Sequence, residues 1–146
     1  MAEPIPLTPQ ITEKLYEHGG LGREALQAGD VKAAEAHFLA AWHCIPEPRL
    51  QHDCAGSMTV ALTEFYRDNG PIEKAIPWLA LAREAYGPEA NPHTEFLAAT
   101  VHYEAGELDE AFALFDGLYK QYKRRPFEGE KPEYLSFYLD RASAKR

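Results

Sequence analysis

The chain has 146 residues, 45% of them hydrophobic and 26% charged, with 15 Lys and Arg against 23 Asp and Glu and a net charge of −8. This is the composition of one globular domain long enough to bury its own core. Its apolar runs fall short of the ~20 residues of a bilayer crossing, and its acidic balance argues against a binder of nucleic acid or anionic membrane.

Met1-Ala2-Glu3-Pro4-Ile5-Pro6 has no basic stretch leading into an apolar core, so no secretory signal is expected. Thr8-Pro9 has the form of an N-cap and first-turn proline, and opens a helix predicted over 8–28. Gly19-Gly20-Leu21-Gly22 has the glycines of a phosphate loop, but no strand precedes it and the Gly-Lys-Ser/Thr ending is missing. Close helix packing with a kink is the expectation there. After Gly29-Asp30, a helix over 31–44 carries Ala34, Phe38, Ala41, Trp42 and Ile45 at steps of three and four, which makes one apolar face. Pro46 and Pro48 close it, and a helix over 50–69 follows. Asn69-Gly70-Pro71 leads into a helix over 71–86, where Ile72, Ala75, Ile76, Leu79, Ala82 and Tyr86 repeat the pattern. Pro77 removes a backbone hydrogen bond inside that span and is expected to bend it. Pro88 and Pro92 precede a helix over 92–105, and Gly106-Glu107 one over 108–123 with Ala111, Phe112, Phe115 and Leu118 on one face. A last helix is predicted over 131–142, apolar at Tyr134, Leu135, Tyr138 and Leu139. Alternating β-branched runs are missing, so the fold class is all-α. Two cysteines, Cys44 and Cys54, make no disulfide framework, and a cytoplasmic protein with reduced thiols is expected.

The breaks are periodic. Gly29, Gly70 and Gly106 lie 41 and 36 residues apart. Each is followed at the same distances by Ala34, Ala75 and Ala111, by Phe38, Leu79 and Phe115, and by Ala41, Ala82 and Leu118. Small residues belong where helices cross closely, and large ones fill the gap to the next pair. With Leu21-Gly22 ahead of Gly29 and Pro46 behind it, the pattern resembles the tetratricopeptide repeat, a helix–turn–helix unit of about 34 residues. The third unit departs from the family: Ala98-Ala99 stand for Leu-Gly, His102 for an aromatic residue, and Gly117-Leu118 shift the small residue by one. The resemblance covers about residues 15–125. It implies a solenoid, an α-α superhelix of three repeats at about 15–48, 50–90 and 92–125, closed by the capping helix, all in one domain over 1–146. The surplus length of the first spacing is expected as two added turns at the start of the helix near Leu50. The ending from Arg125-Pro126-Phe127-Glu128 through Pro132-Glu133-Tyr134-Leu135 resembles the tail of small bacterial tetratricopeptide proteins, some linked with toxin–immunity loci.

In that family the first helix of each pair lines a concave groove. The resemblance therefore implies partner-binding residues Tyr16 and Arg23, then Val60, Glu64, Arg67 and Asp68, then His93, Phe96, Thr100 and Tyr103. Val60 and Phe96 read equally well as packing between helices. The expected function is a protein-interaction module binding a peptide or protein. A narrower version is an immunity protein masking a toxin, where the net charge of −8 would suit a basic nuclease. Gly19, Val60 and Phe96 occupy a key position of the carboxylate grip used by chaperone-binding members, so that role is not expected. The rival of another class is a metal-binding protein or enzyme using His43, Cys44, His52 and Cys54, whose spacing lacks the paired short intervals of zinc sites. His93, Glu95, His102, Tyr103 and Glu104 carry none of the usual hydrolase motifs and read as a solvated face. Lys120, Lys123, Arg124 and Arg125 suit the negative end of a helix dipole. No catalytic residue, metal or cofactor is assigned.

Overall fold

The computed structural model describes residues 3–145; Met1 and Ala2, part of the opening stretch considered above, and Arg146 lie outside the described residues. Among the described residues there are seven α-helices: α1 (Pro9–Gln27), α2 (Val31–His43), α3 (Ala55–Asn69), α4 (Ala75–Tyr86), α5 (Pro92–Glu104), α6 (Leu108–Tyr122) and α7 (Pro132–Ala144). They pack in consecutive antiparallel pairs, α1 with α2, α3 with α4 and α5 with α6, and α7 lies against α6. The fold is all-α. No described helix is long and apolar enough to cross a membrane.

Local chemistry sets the helix ends. The Thr8 hydroxyl accepts from the Ile11 amide and Pro9 opens α1. The Asp30 carboxylate accepts from the Ala33 amide at 3.0 Å to start α2, and Asn91 caps α5 through the His93 amide at 2.8 Å. Gly29 and Gly106 close α1 and α5 alike. Each is left-handed, with φ of 83° and 81°. The residue after each donates its N–H five residues back, Asp30 to the Ala25 carbonyl and Glu107 to that of His102. Gly70 shares the positive φ, but Pro71 follows it and has no N–H for that second bond.

That difference corrects two expectations. The chain after Pro71 makes a 3-10 turn over Ile72–Lys74, and α4 starts only at Ala75. Pro77 therefore stands in the first turn of α4, where no intrahelical donor is required, and it breaks no hydrogen bond. Nor does α3 begin near Leu50 with two added turns. Arg49–Gln51 form a 3-10 turn, and His52 is extended. There Ile5 donates to the Gln51 carbonyl at 2.8 Å and accepts from the Asp53 amide at 3.0 Å. The surplus residues are thus held by the N-terminal segment as a short bridge rather than by helix. Gly19 and Gly20 do not interrupt α1. The glycine that packing requires is Gly22, where a Cβ would stand 2.5 Å from Cε1 of Phe38 on α2.

The core has two bodies. One joins the first two pairs and reaches α5, with Trp42 edge-on to Trp78 at 5.4 Å and Phe38 edge-on to Phe65 at 5.3 Å. Ala34, Ala75 and Ala82 are fully buried there. The other joins α5, α6 and α7 in an aromatic cluster around Phe115 and Tyr134, both 0% exposed. Each such ring pair adds about 0.5–1.5 kcal/mol beyond area burial.

The connection from α6 to α7 belongs to this second core. Lys123, at φ 61°, turns the chain out of α6, and Arg125–Phe127 make a 3-10 turn. Phe127 is buried against Phe96 and Phe115, with both ring separations at 5.2 Å.

Candidate functional site

Two open clefts lie between first helices of successive pairs. The larger, about 510 Å³, separates α1 from α3. Its walls are apolar: Leu7, Leu15, Phe38, Met58 and Leu62. Tyr16, Arg23 and Asp53 stand at its exposed edge, and Tyr16 is 74% exposed. The Arg23 guanidinium lies over the bare backbone of Gly19 and Gly20, a turn earlier on the same helix. The two glycines leave the room that the long cation occupies.

The second cleft, about 350 Å³, separates α3 from α5 and is closed on its far side by the α6–α7 connection. Val60, Phe96 and Leu97 line it with Pro126, and Glu64, His93, Arg125 and Glu130 supply its charge. Glu64 is half-buried. Burial pushes its carboxyl above the ordinary range; Glu130 and Asp68 add to this, while Arg67 and His93 oppose it without reversing it. Glu64 makes no hydrogen bond or ion pair at bonding distance among the described residues. Arg67 is differently placed, because its side chain is only 7% exposed and one edge of its guanidinium, Nε and Nη2, donates to both oxygens of Asp68, at 2.9 and 3.0 Å. Burial works against the Arg67 charge, but Asp68 and Glu64 hold its pKa above the usual value. For Asp68, burial is likewise outweighed by Arg67 and Lys131, and its pKa is lowered. The Arg67 cation is therefore already paired with Asp68, while Glu64 has no counter-ion at bonding distance among the described residues.

The sequence-derived residues divide between these places. Tyr16 and Arg23 meet in the first cleft, and Val60, Glu64, Arg67, His93 and Phe96 in the second. Asp68 faces the start of α7, where Lys131 reaches it at 3.3 Å and Glu104 at 3.4 Å. Thr100 is fully buried; its hydroxyl donates to the Leu97 carbonyl at 2.7 Å and accepts from Arg67 at 3.0 Å. Tyr103 packs between the rings of Tyr134 and Phe137. The end of α5 is thus covered by this chain's own α7 rather than open.

The sequence reading missed the second wall of each cleft. Leu7 and Met58 are scattered apolar positions with no helix-face signal in common. Arg125, Pro126 and Glu130 lie in a stretch read for its charge and as a tail, not as part of a cleft. Phe127, a lone large apolar residue in that polar stretch, was the available sign that the connection is anchored.

The rival cluster does not converge. His52 turns its Nδ1 to the Pro48 carbonyl at 3.0 Å, while Cys44 and Cys54 cap different helices and are unpaired. Among the described residues no three His, Cys, Asp or Glu side chains are grouped to hold a metal ion. His102 meets Glu107, and Glu95 meets Arg83. What the clefts offer chemically is apolar surface beside charged side chains. No family model, curated protein or solved structure matches the chain.

Proposed function

We propose that the chain is a tetratricopeptide-like solenoid of three repeats closed by α7, and that it binds a peptide or protein partner along the side built by α1, α3 and α5. The observation that carries this reading is the placement of the two clefts, each bounded by the first helix of one pair and the first helix of the next. Support for the repeat comes from the matched closures at Gly29 and Gly106 and from Ala34, Ala75 and Ala111, all 0% exposed where helices cross. The clefts suit a polypeptide because apolar walls are rimmed by Tyr and Arg, side chains that anchor interfaces well. The net charge of −8 favours a basic partner, and a toxin domain masked by this side is the narrower version.

Site-specific photocrosslinking tests the proposal. A crosslinker at Tyr16 or His93 is expected to capture the same protein partner in the native host. One at Ile76, 52% exposed on α4, is expected to capture none of it. Capture from Ile76 alone would overturn the reading.

A further inference from the structure

Glu64 is a half-buried carboxylate at the wall of a cleft, with no cation at bonding distance among the described residues. An ionised group in that setting loses hydration, and the neighbouring Arg67 and His93 offset this only in part. Its surroundings are specific. Arg67, on the same helix, spends its donors on Asp68 and Thr100. His93 on α5 and Tyr122 on α6 line the cleft. From the α6–α7 connection come Arg125, exposed, and Glu130, a second carboxylate. The remaining walls, Val60, Pro92, Phe96, Leu97 and Pro126, are apolar. Apolar walls beside a carboxylate with no cation at bonding distance have the complement of a long aliphatic stem that ends in a cation.

We propose that the α3–α5 cleft receives an arginine side chain of a protein partner, its guanidinium paired with Glu64 and its stem against Val60, Phe96 and Leu97. Arginine fits better than lysine because a guanidinium is more weakly hydrated and meets a carboxylate along two parallel hydrogen bonds. The net charge of −8 steers such a partner toward the surface. The inference rests on the reading that this side receives a polypeptide, and it names the chemistry of one contact.

The test is an NMR titration of the full chain with two probes, acetyl-Ala-Arg-Ala-amide and the same peptide carrying citrulline, an uncharged isostere. The arginine peptide is expected to give saturable shifts at Val60, Glu64, His93 and Phe96, and the citrulline peptide much weaker ones. Glu64→Gln keeps the side-chain shape and removes a burdened charge, so the variant should fold. It is expected to weaken the arginine peptide about tenfold, the value of one charged hydrogen bond. The carboxyl-carbon resonance of Glu64 should titrate at lower pH when the arginine peptide is bound, because the new cation favours the ionised form. Equal binding of the two peptides at this cleft would overturn the arginine assignment and leave the groove standing. Undiminished affinity in Glu64→Gln would do the same. No saturable shift at either cleft from either peptide would count against both readings.

Discussion

Gly22 and Gly117 stand inside helices, and replacing each by alanine should have opposite effects. Alanine gains about 1 kcal/mol over glycine in a helix interior from backbone entropy alone. At Gly117, exposed on α6, an added Cβ meets nothing within 4 Å, so Gly117→Ala should stabilise by about 0.5–1 kcal/mol. At Gly22 the new carbon would lie 2.5 Å from Phe38 Cε1 and 2.6 Å from its Cδ1. Phe38 cannot retreat freely, because its ring is packed edge-on to Phe65. Overpacking of this kind costs about 1–3 kcal/mol. Set against the helix gain, Gly22→Ala should be neutral to destabilising by about 2 kcal/mol. Urea unfolding followed by far-UV circular dichroism measures both variants. In a Phe38→Leu background, where the obstructing ring is gone, Gly22→Ala should become stabilising. If Gly22→Ala alone stabilises as much as Gly117→Ala, the close approach of α1 and α2 does not constrain this position and the account of their packing fails.

Phe115→Ala, which removes a 0% exposed ring touching Phe96, Phe127, Tyr134 and Phe137, should cost about 3–5 kcal/mol in urea unfolding. A loss under 1 kcal/mol would mean that the aromatic cluster is loosely packed (about 3 kcal/mol is the floor for a filled site). Tyr134→Phe should be neutral or stabilising by up to about 1 kcal/mol, because the Tyr134 hydroxyl is buried with no hydrogen-bond partner among the described residues; clear destabilisation would mean that this oxygen is bonded. Asp68 is held below its ordinary pKa, so its contribution is complete above the unfolded value of about 3.9 and is lost as pH falls through the lower folded value. Acid unfolding of Asp68→Asn should therefore lack that part of the pH dependence, and an unchanged acid limb would refute the pairing. Glu64 has the opposite sign. Its raised pKa makes ionisation a burden on the native state above that pKa, so Glu64→Gln should be slightly more stable at neutral pH, measured by thermal melting.

Helices were legible where one physical cause dominates. Steps of three and four around Phe38, Leu79 and Phe115 place each second helix, because an amphipathic face buries in only one way. Gly29 and Gly106 mark turns that only a left-handed residue closes comfortably. The reading slipped where the outcome depends on a distant segment. Ile5 decides that His52 is extended, and nothing near His52 in sequence announces it. Pro71 looked like a first-turn proline, but its backbone is extended ahead of the 3-10 turn over Ile72–Lys74, and α4 starts at Ala75. Tyr16 and Arg23 on α1 and Val60, Glu64 and Arg67 on α3 were picked by the repeat resemblance, and they line the two clefts. The covering of Thr100 and Tyr103 was not legible that way, because it comes from α7 folding back, a contact between segments that sequence periodicity does not address.

The join between α3 and α7 has one more consequence. Helical hairpins that touch only their neighbours can lose an end unit while the rest persists. Here Lys131 grips Asp68 and Arg67 lies over the Tyr134 ring at 6.0 Å, so the last helix is fastened to the middle hairpin as well as to the one beside it. Peeling the C-terminal helix away would take the Tyr134 ring from Arg67 and Lys131 from Asp68 together. Fraying at that end should therefore disturb the middle hairpin too, and if the proposed function holds, proteolytic trimming there should weaken partner binding as well as shorten the chain.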